Sequence, residues 1–180
     1  MGHIHTNTGQ HDLTVSAFIF LIDDDNEPRM GFHMHKKLGM LMQFGGHVEL
    51  HENPWQAMTH ELLEESGYEL SQLQILQPSQ NEPIKSNAIV HPIPAHFETH
   101  SFDKFGLDHS HVDLGYAFVT RELPKSSPQS GESSDIRFLA RQELLDLTDD
   151  IVLAGSRTIF LSLLDNCLPN WNPVSTQQFS

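Results

Sequence analysis

Strand-like and helix-like segments interleave along this chain, which predicts an α/β or α+β fold with helices laid on a mixed β-sheet. Two further observations support one domain. The 180 residues are 38% hydrophobic and 19% charged, within the globular range and enough for a substantial core. No internal repeat and no long linker divides them.

The first strand is predicted at Thr14 to Ile22, a run rich in β-branched and aromatic residues that ends in an Asp/Asn/Glu/Pro turn. Arg29 to His35 is its partner across a tight connection. Lys36 to Phe44 leads to the glycine pair Gly45 and Gly46, after which a helix is expected at Pro54 to Glu65. Asn53 is its N-cap, Pro54 its first residue, and Gln56 completes a capping box. Ser66-Gly67 is the stop, with Gly67 in the left-handed conformation and Tyr68 packing back on Leu63. Leu73 to Leu76, Ala88 to Phe97 and His111 to Val119 read as further strands. The loop Pro124 to Ser134 follows, then a short strand at Ile136 to Leu139 and a helix at Arg141 to Leu147. The last helix is expected at about Leu153 to Asn166 and is stopped by Pro169. Residues 1–12 read as an N-terminal arm carrying His3 and His5, 13–168 as the folded domain, and 169–180 as a loose tail.

Charge narrows the function. Against 24 Asp and Glu stand 10 Lys and Arg, a formal charge of -14, so direct binding to a nucleic-acid duplex or an anionic membrane is not expected. The apolar run Val15 to Ile22 is too short to span a bilayer. Cys167 is the single cysteine and has no disulfide partner in the chain, which fits a reducing compartment. A soluble, cytoplasmic protein is expected.

The acids are unevenly placed. Leu38 to Ile84 contains seven Glu and no Lys or Arg. On the predicted helix Glu61, Glu64 and Glu65 stand at i, i+3 and i+4, so they leave one face and converge. They also occupy the last turn, where the helix dipole disfavours anions. Stability alone would place Lys there. A hard divalent cation such as Mg²⁺ would make the arrangement favourable, since it takes oxygen ligands and serves phosphate substrates. The bland alternative is a solvated acidic face.

From Gly46 the sequence runs through five residues to Glu52, then seven more to His60-Glu61-Leu62-Leu63-Glu64-Glu65-Ser66-Gly67-Tyr68. This closely resembles the signature of the Nudix hydrolases, with His60 where the family has Arg; with its flanks the likeness extends from about Leu13 to Asn166. The resemblance implies an α/β/α sandwich with a mixed sheet and divalent-metal-dependent hydrolysis of a diphosphate bond in a nucleoside diphosphate linked to another group. By that likeness Glu61, Glu64 and Glu65 are catalytic and hold Mg²⁺ or Mn²⁺, with Glu52 orienting or binding and the Gly45 carbonyl completing the shell. Gly46 lets the backbone come close. The general base is a signature Glu or a carboxylate from a later loop, with Glu61 the first choice and Glu132 the second. Substrate contacts are not assigned, and a homodimer is in keeping with many relatives.

His60 differs from Arg in titrating near neutrality and in being shorter, so activity is expected to be weaker or pH-sensitive. Elsewhere, His109, His111 and Asp113 alternate on one strand face and form a set able to ligate Zn²⁺. His33 and His35 share a face, and His96 and His100 flank Phe97-Glu98-Thr99. Each pair alone reads as surface or hydrogen-bonded histidine; two pairs meeting would favour a second metal or a phosphate contact. Trp55, Met58 and Leu62 read as core. Pro83, fifteen residues beyond Tyr68, resembles the ADP-ribose pyrophosphatase branch, while the lack of a Cys in the core region fits the isopentenyl diphosphate isomerase branch poorly. Two competing functions remain: a catalytically silent Nudix nucleotide-binding module, and a His-rich metal-binding protein.

Overall fold

A computed structural model of the chain describes residues 9–78, 87–101 and 110–179. His3, His5, Glu82, Pro83 and His109 lie outside them. Nine strands among the described residues form one mixed sheet, in the order β3-β2-β1-β7-β5-β9, with β4 on β1, β6 on β7 and β8 on β2. The strands are β1 His11–Ile22, β2 Pro28–His35, β3 Met40–Met42, β4 Phe44–His47, β5 Gln74–Gln77, β6 His96–Ser101, β7 Ser110–Thr120, β8 Ile136–Leu139 and β9 Asn172–Ser175. The helices are α1 Pro54–Glu61, α2 Arg141–Asp146 and α3 Ala154–Ser162. The architecture is an α/β/α sandwich.

β1 is the axis of the fold. It runs parallel to β7, pairing Thr14 with Asp113 and Phe18 with Ala117, and antiparallel to β2 and β4. Because strand side chains alternate, its two faces join different cores. Val15, Ala17 and Ile19 pack with Trp55, Met58, Leu62 and Tyr68 beneath α1. Phe18 and Phe20 pack with Phe160, Leu163 and Leu164 beneath α3. Burial of each of these large apolar side chains is worth roughly 1.5–3 kcal/mol. Toward its N-terminal end the α3-side face of β1 changes character, to Ser16, Thr14 and Asp12, all buried.

The start of α1 follows its sequence. Asn53 Oδ1 accepts from the Trp55 and Gln56 N–H groups at 3.0 Å, and Gln56 Oε1 accepts from the Asn53 N–H at 2.9 Å, closing the capping box. The helix does not stop at Glu61 but widens into a π turn over Leu62–Ser66, which Gly67 ends at φ 75°. A side chain on Gly67 would also strike the Ser126 carbonyl, because the 124–134 loop lies against this end. The Ser126 Oγ donates to Gly67 O at 3.0 Å, and the Gln129 N–H donates to Glu64 O at 2.8 Å. α3 likewise passes into a π turn, Leu163–Cys167. No helix among the described residues is long and apolar enough to cross a membrane.

Four expectations are corrected. No strand covers Ala88 to Ala95; β6 begins only at His96, since Pro92 and Pro94 have no N–H for a ladder. The tail is docked rather than loose: β9 pairs with β5, Thr176 Oγ1 donates to Leu70 O at 2.8 Å, and the Phe179 ring lies 5.9 Å from Trp55. The first strand starts within the expected arm, at His11. Tyr68 is fully buried, its ring 6.5 Å from Phe138, whereas Leu63 stays at the surface.

Candidate active site

The glycine pair lies in β4, and this strand brings backbone close to the end of α1. Gly45 has φ 135°, a conformation that favours glycine, and its N–H donates to Glu65 Oε2 at 2.8 Å. At Gly46 any side chain would fall on the Glu61 carboxylate. Glycine here is what lets Glu61 sit against the sheet. A cavity of about 780 Å³ opens at this point, lined by Glu61, Glu64 and Glu65 together with Gly45, Gly46 and Glu132.

Burial dominates the electrostatics of these acids. It pushes Glu61 up to about 7, with Glu64 and Glu132 pushing the same way and His60 opposing. It raises Glu65 well above the usual carboxylate range; the Gly45 N–H opposes this, while Glu61, Glu132 and Glu64 add to it. Glu132, expected as a loop acid, therefore faces the site. Lys36 Nζ donates to Gly131 O at 2.5 Å and ties its loop across the cavity.

His60 bridges two acids, with Nδ1 3.1 Å from Glu52 Oε2 and Nε2 3.6 Å from Glu61 Oε1. Imidazole thus touches the two carboxylates that an Arg fork would grip, over a shorter reach. Glu52 also accepts from the Glu49 N–H at 2.8 Å. Its carboxylate is thereby engaged behind His60, and Glu52 is not among the cavity-lining residues.

His33 stands on the other side of Glu65, its Nε2 3.7 Å from Oε2. Burial, helped by His35, lowers it to about 4, so it is neutral at pH 7 and the contact is not an ion pair. Its Nδ1 has no hydrogen-bond partner among the described residues.

The fit to a divalent cation rests on this donor set. Buried carboxylates with raised proton affinity are short of positive charge, they offer hard oxygen ligands, and the Gly46 cradle leaves them room. Among the described residues no three His, Cys, Asp or Glu side chains are already gathered around one point at coordination distance. Rotation of Glu61, Glu64 and Glu65 about their side-chain bonds would be needed to close on an ion.

The remaining candidates gather elsewhere on the same cavity. His111 and Asp113 share a face of β7 and are joined by His100 of β6 and by His47 of β4, which sequence reasoning missed. Asp113 accepts from Thr14 Oγ1 at 2.7 Å and from Ser16 Oγ at 3.0 Å, and burial raises its pKa against those bonds. Beside the alternation of His111 and Asp113, the sequence carries a second signal for this wall in the alternation Asp12, Thr14, Ser16 of an otherwise apolar strand. His96 and His100 flank Glu98 at 3.0 and 3.1 Å.

The NUDIX domain model matches residues 12–157, a span that holds both the glycine cradle and the acid cluster. The chain belongs to the Nudix family. A NUDIX-family hydrolase from Clostridium perfringens superposes with a TM-score of 0.65 at 25% identity, over 87% of this chain and 97% of that one. The NUDIX domain of Shewanella oneidensis NrtR, solved with ADP ribose, gives 0.61 at 13% identity, over 87% and 88%. A C. elegans Ap4A hydrolase gives 0.57 at 15% identity, over 86% and 98%. No match is found among the curated proteins.

Proposed function

We propose that this Nudix pyrophosphohydrolase cleaves a diphosphate bond in a nucleoside diphosphate linked to a second group, using Mg²⁺ or Mn²⁺. The observation that carries the reading is the pair of buried acids, Glu61 and Glu65, raised in proton affinity beside the Gly46 cradle. Such a pair is costly unless it performs a task. Glu61, Glu64 and Glu65 would hold the ion, with the Gly45 carbonyl beside them. The bound cation supplies positive charge that lets a diphosphate approach an acidic wall and that neutralises charge as the bond breaks.

The chain's own residues do the rest. Glu61 is the proposed general base: it takes the proton of the water that attacks phosphorus, and the bridging oxygen leaves with the departing phosphate. Glu132 is the second choice for that role. His60 and Glu52 hold Glu61 at its angle, and the Gly45 N–H does the same for Glu65. The substrate class is in keeping with relatives of the same fold, one solved with ADP ribose and another an Ap4A hydrolase. The test is release of phosphate or phosphomonoester from nucleoside triphosphates, ADP-ribose, NADH, diadenosine polyphosphates and capped nucleotides, with Mg²⁺ or Mn²⁺. Turnover of at least one is expected. The presence of His60 in the Arg position favours a second reading, a silent nucleotide-binding module, for which binding without turnover across that panel is the outcome.

A further inference from the structure

On the face of β1 opposite α1, the cavity is walled by imidazoles rather than by helix-borne carboxylates. His47 and His111 have ring centroids 4.9 Å apart, and His111 and His100 5.3 Å apart, both edge to face. Two imidazoles on a tetrahedral ion, with metal–nitrogen distances of about 2.0–2.1 Å, have centroids about 5 Å apart. The spacing on the wall therefore suits a shared ion without movement of the strands, since His100 and His111 are cross-strand partners in the β6–β7 ladder.

The charges around the rings decide between a cation and an anion. Asp12 Oδ2 lies 3.6 Å from His47 Nε2, and Glu98 Oε1 lies 3.1 Å from His100 Nδ1. Asp113, buried on the same face, adds a third carboxyl. A phosphate would meet these acids as well as the histidines, whereas a cation meets attraction from all of them. Carboxylates behind the distal nitrogens also orient imidazoles whose other nitrogen binds metal.

We propose that His47, His100 and His111 form a nitrogen-rich site for a borderline divalent metal such as Zn²⁺, oriented by Asp12 and Glu98. It is distinct from the glutamate site of α1 and opens on the same cavity. As with the signature acids, the three rings do not converge on one point as they stand, and their edge-to-face contacts must turn for the nitrogens to meet one ion. It stands independently of the hydrolytic reading.

The test is titration of the full-length protein with Co²⁺ in the presence of excess Mg²⁺, followed by the visible d–d absorption of nitrogen-ligated cobalt, then competition with Zn²⁺. One equivalent is expected, displaced by Zn²⁺ and retained in Glu64→Gln with Glu65→Gln. His111→Gln and His100→Gln should each abolish the band while circular dichroism stays unchanged. Glu98→Gln, which keeps all three rings, should weaken Zn²⁺ about 10–100-fold. A band that survives both histidine substitutions comes from other histidines, such as those near the N-terminus, and overturns the proposal. So does the absence of a band in the unaltered protein, or its loss in the double glutamine variant alone.

Discussion

The two walls of the cavity are built in opposite ways. Glu61, Glu64 and Glu65 come from five consecutive positions where α1 widens into its π turn, and their nearness is a matter of local geometry. His47, His100, His111 and Asp12 come from four strands, and they meet only because β1 pairs with β4 on one side and with β7 on the other. The first wall is oxygen-rich and short of positive charge. The second mixes nitrogen and oxygen donors, with acids already beside its rings. A helix can gather like groups cheaply in sequence, whereas a sheet gathers unlike groups from distant segments, so the two walls suit cations of different hardness.

The strongest way to break this contrast is to disable the helix wall. Glu64→Gln with Glu65→Gln should lower kcat/KM by about 10³-fold or more, with circular dichroism unchanged and melting not lowered, because metal-held charge neutralisation is worth several kcal/mol. Unchanged turnover would rule out these ligands. Next in size is Gly46→Ala, whose methyl group would displace the Glu61 carboxylate. A loss of about 10²-fold is expected from misplacement alone, while Gly155→Ala, where nothing lies near the added carbon, should be silent in the same assay.

The acids also set a pH signature for the metal-free protein. Folding raises Glu61 from 4.5 to about 7, so between those values the folded state binds more protons than the unfolded one. Stability is then lost as pH rises through that window. Melting followed from pH 4.5 to 7.5 should show this fall, Glu61→Gln should flatten it, and added Mg²⁺ should raise the melting temperature more at pH 7.5 than at pH 5. An equal Mg²⁺ effect at both values would show that the ion does not use these carboxylates.

The smallest effect is expected at the bridge behind the helix wall. His60→Arg restores a permanent charge between Glu52 and Glu61, so turnover should be retained or modestly raised at high pH. A large loss there, read in kcat against pH, would assign His60 a task that Arg cannot perform.

Local information was enough for much of the fold and for the acids that face one side of the cavity. The Asn53–Gln56 capping box and the left-handed Gly67 depend on neighbours a few positions away, and they stand as the sequence predicts, whereas Glu64 and Glu65 lie in a π turn that helix periodicity did not predict. Where long-range pairing decides, local patterns misled. The polar tail with Pro173 looked loose because its partner, β5, is a hundred residues earlier. The histidines looked like scattered surface residues because nothing in their spacing reveals which strand lies beside which.

By itself, then, the sequence determined interleaved strands and helices on a mixed sheet and an acidic helix end, since short-range sterics and helix periodicity act within a few residues; the α/β/α sandwich was implied by the resemblance of its signature. Only the tertiary structure decided that Gly46 is a cradle for Glu61, that Glu132 turns inward, and that His47 meets His111. Those contacts depend on the register of β1 against its neighbours, and register is fixed by the packing of whole faces.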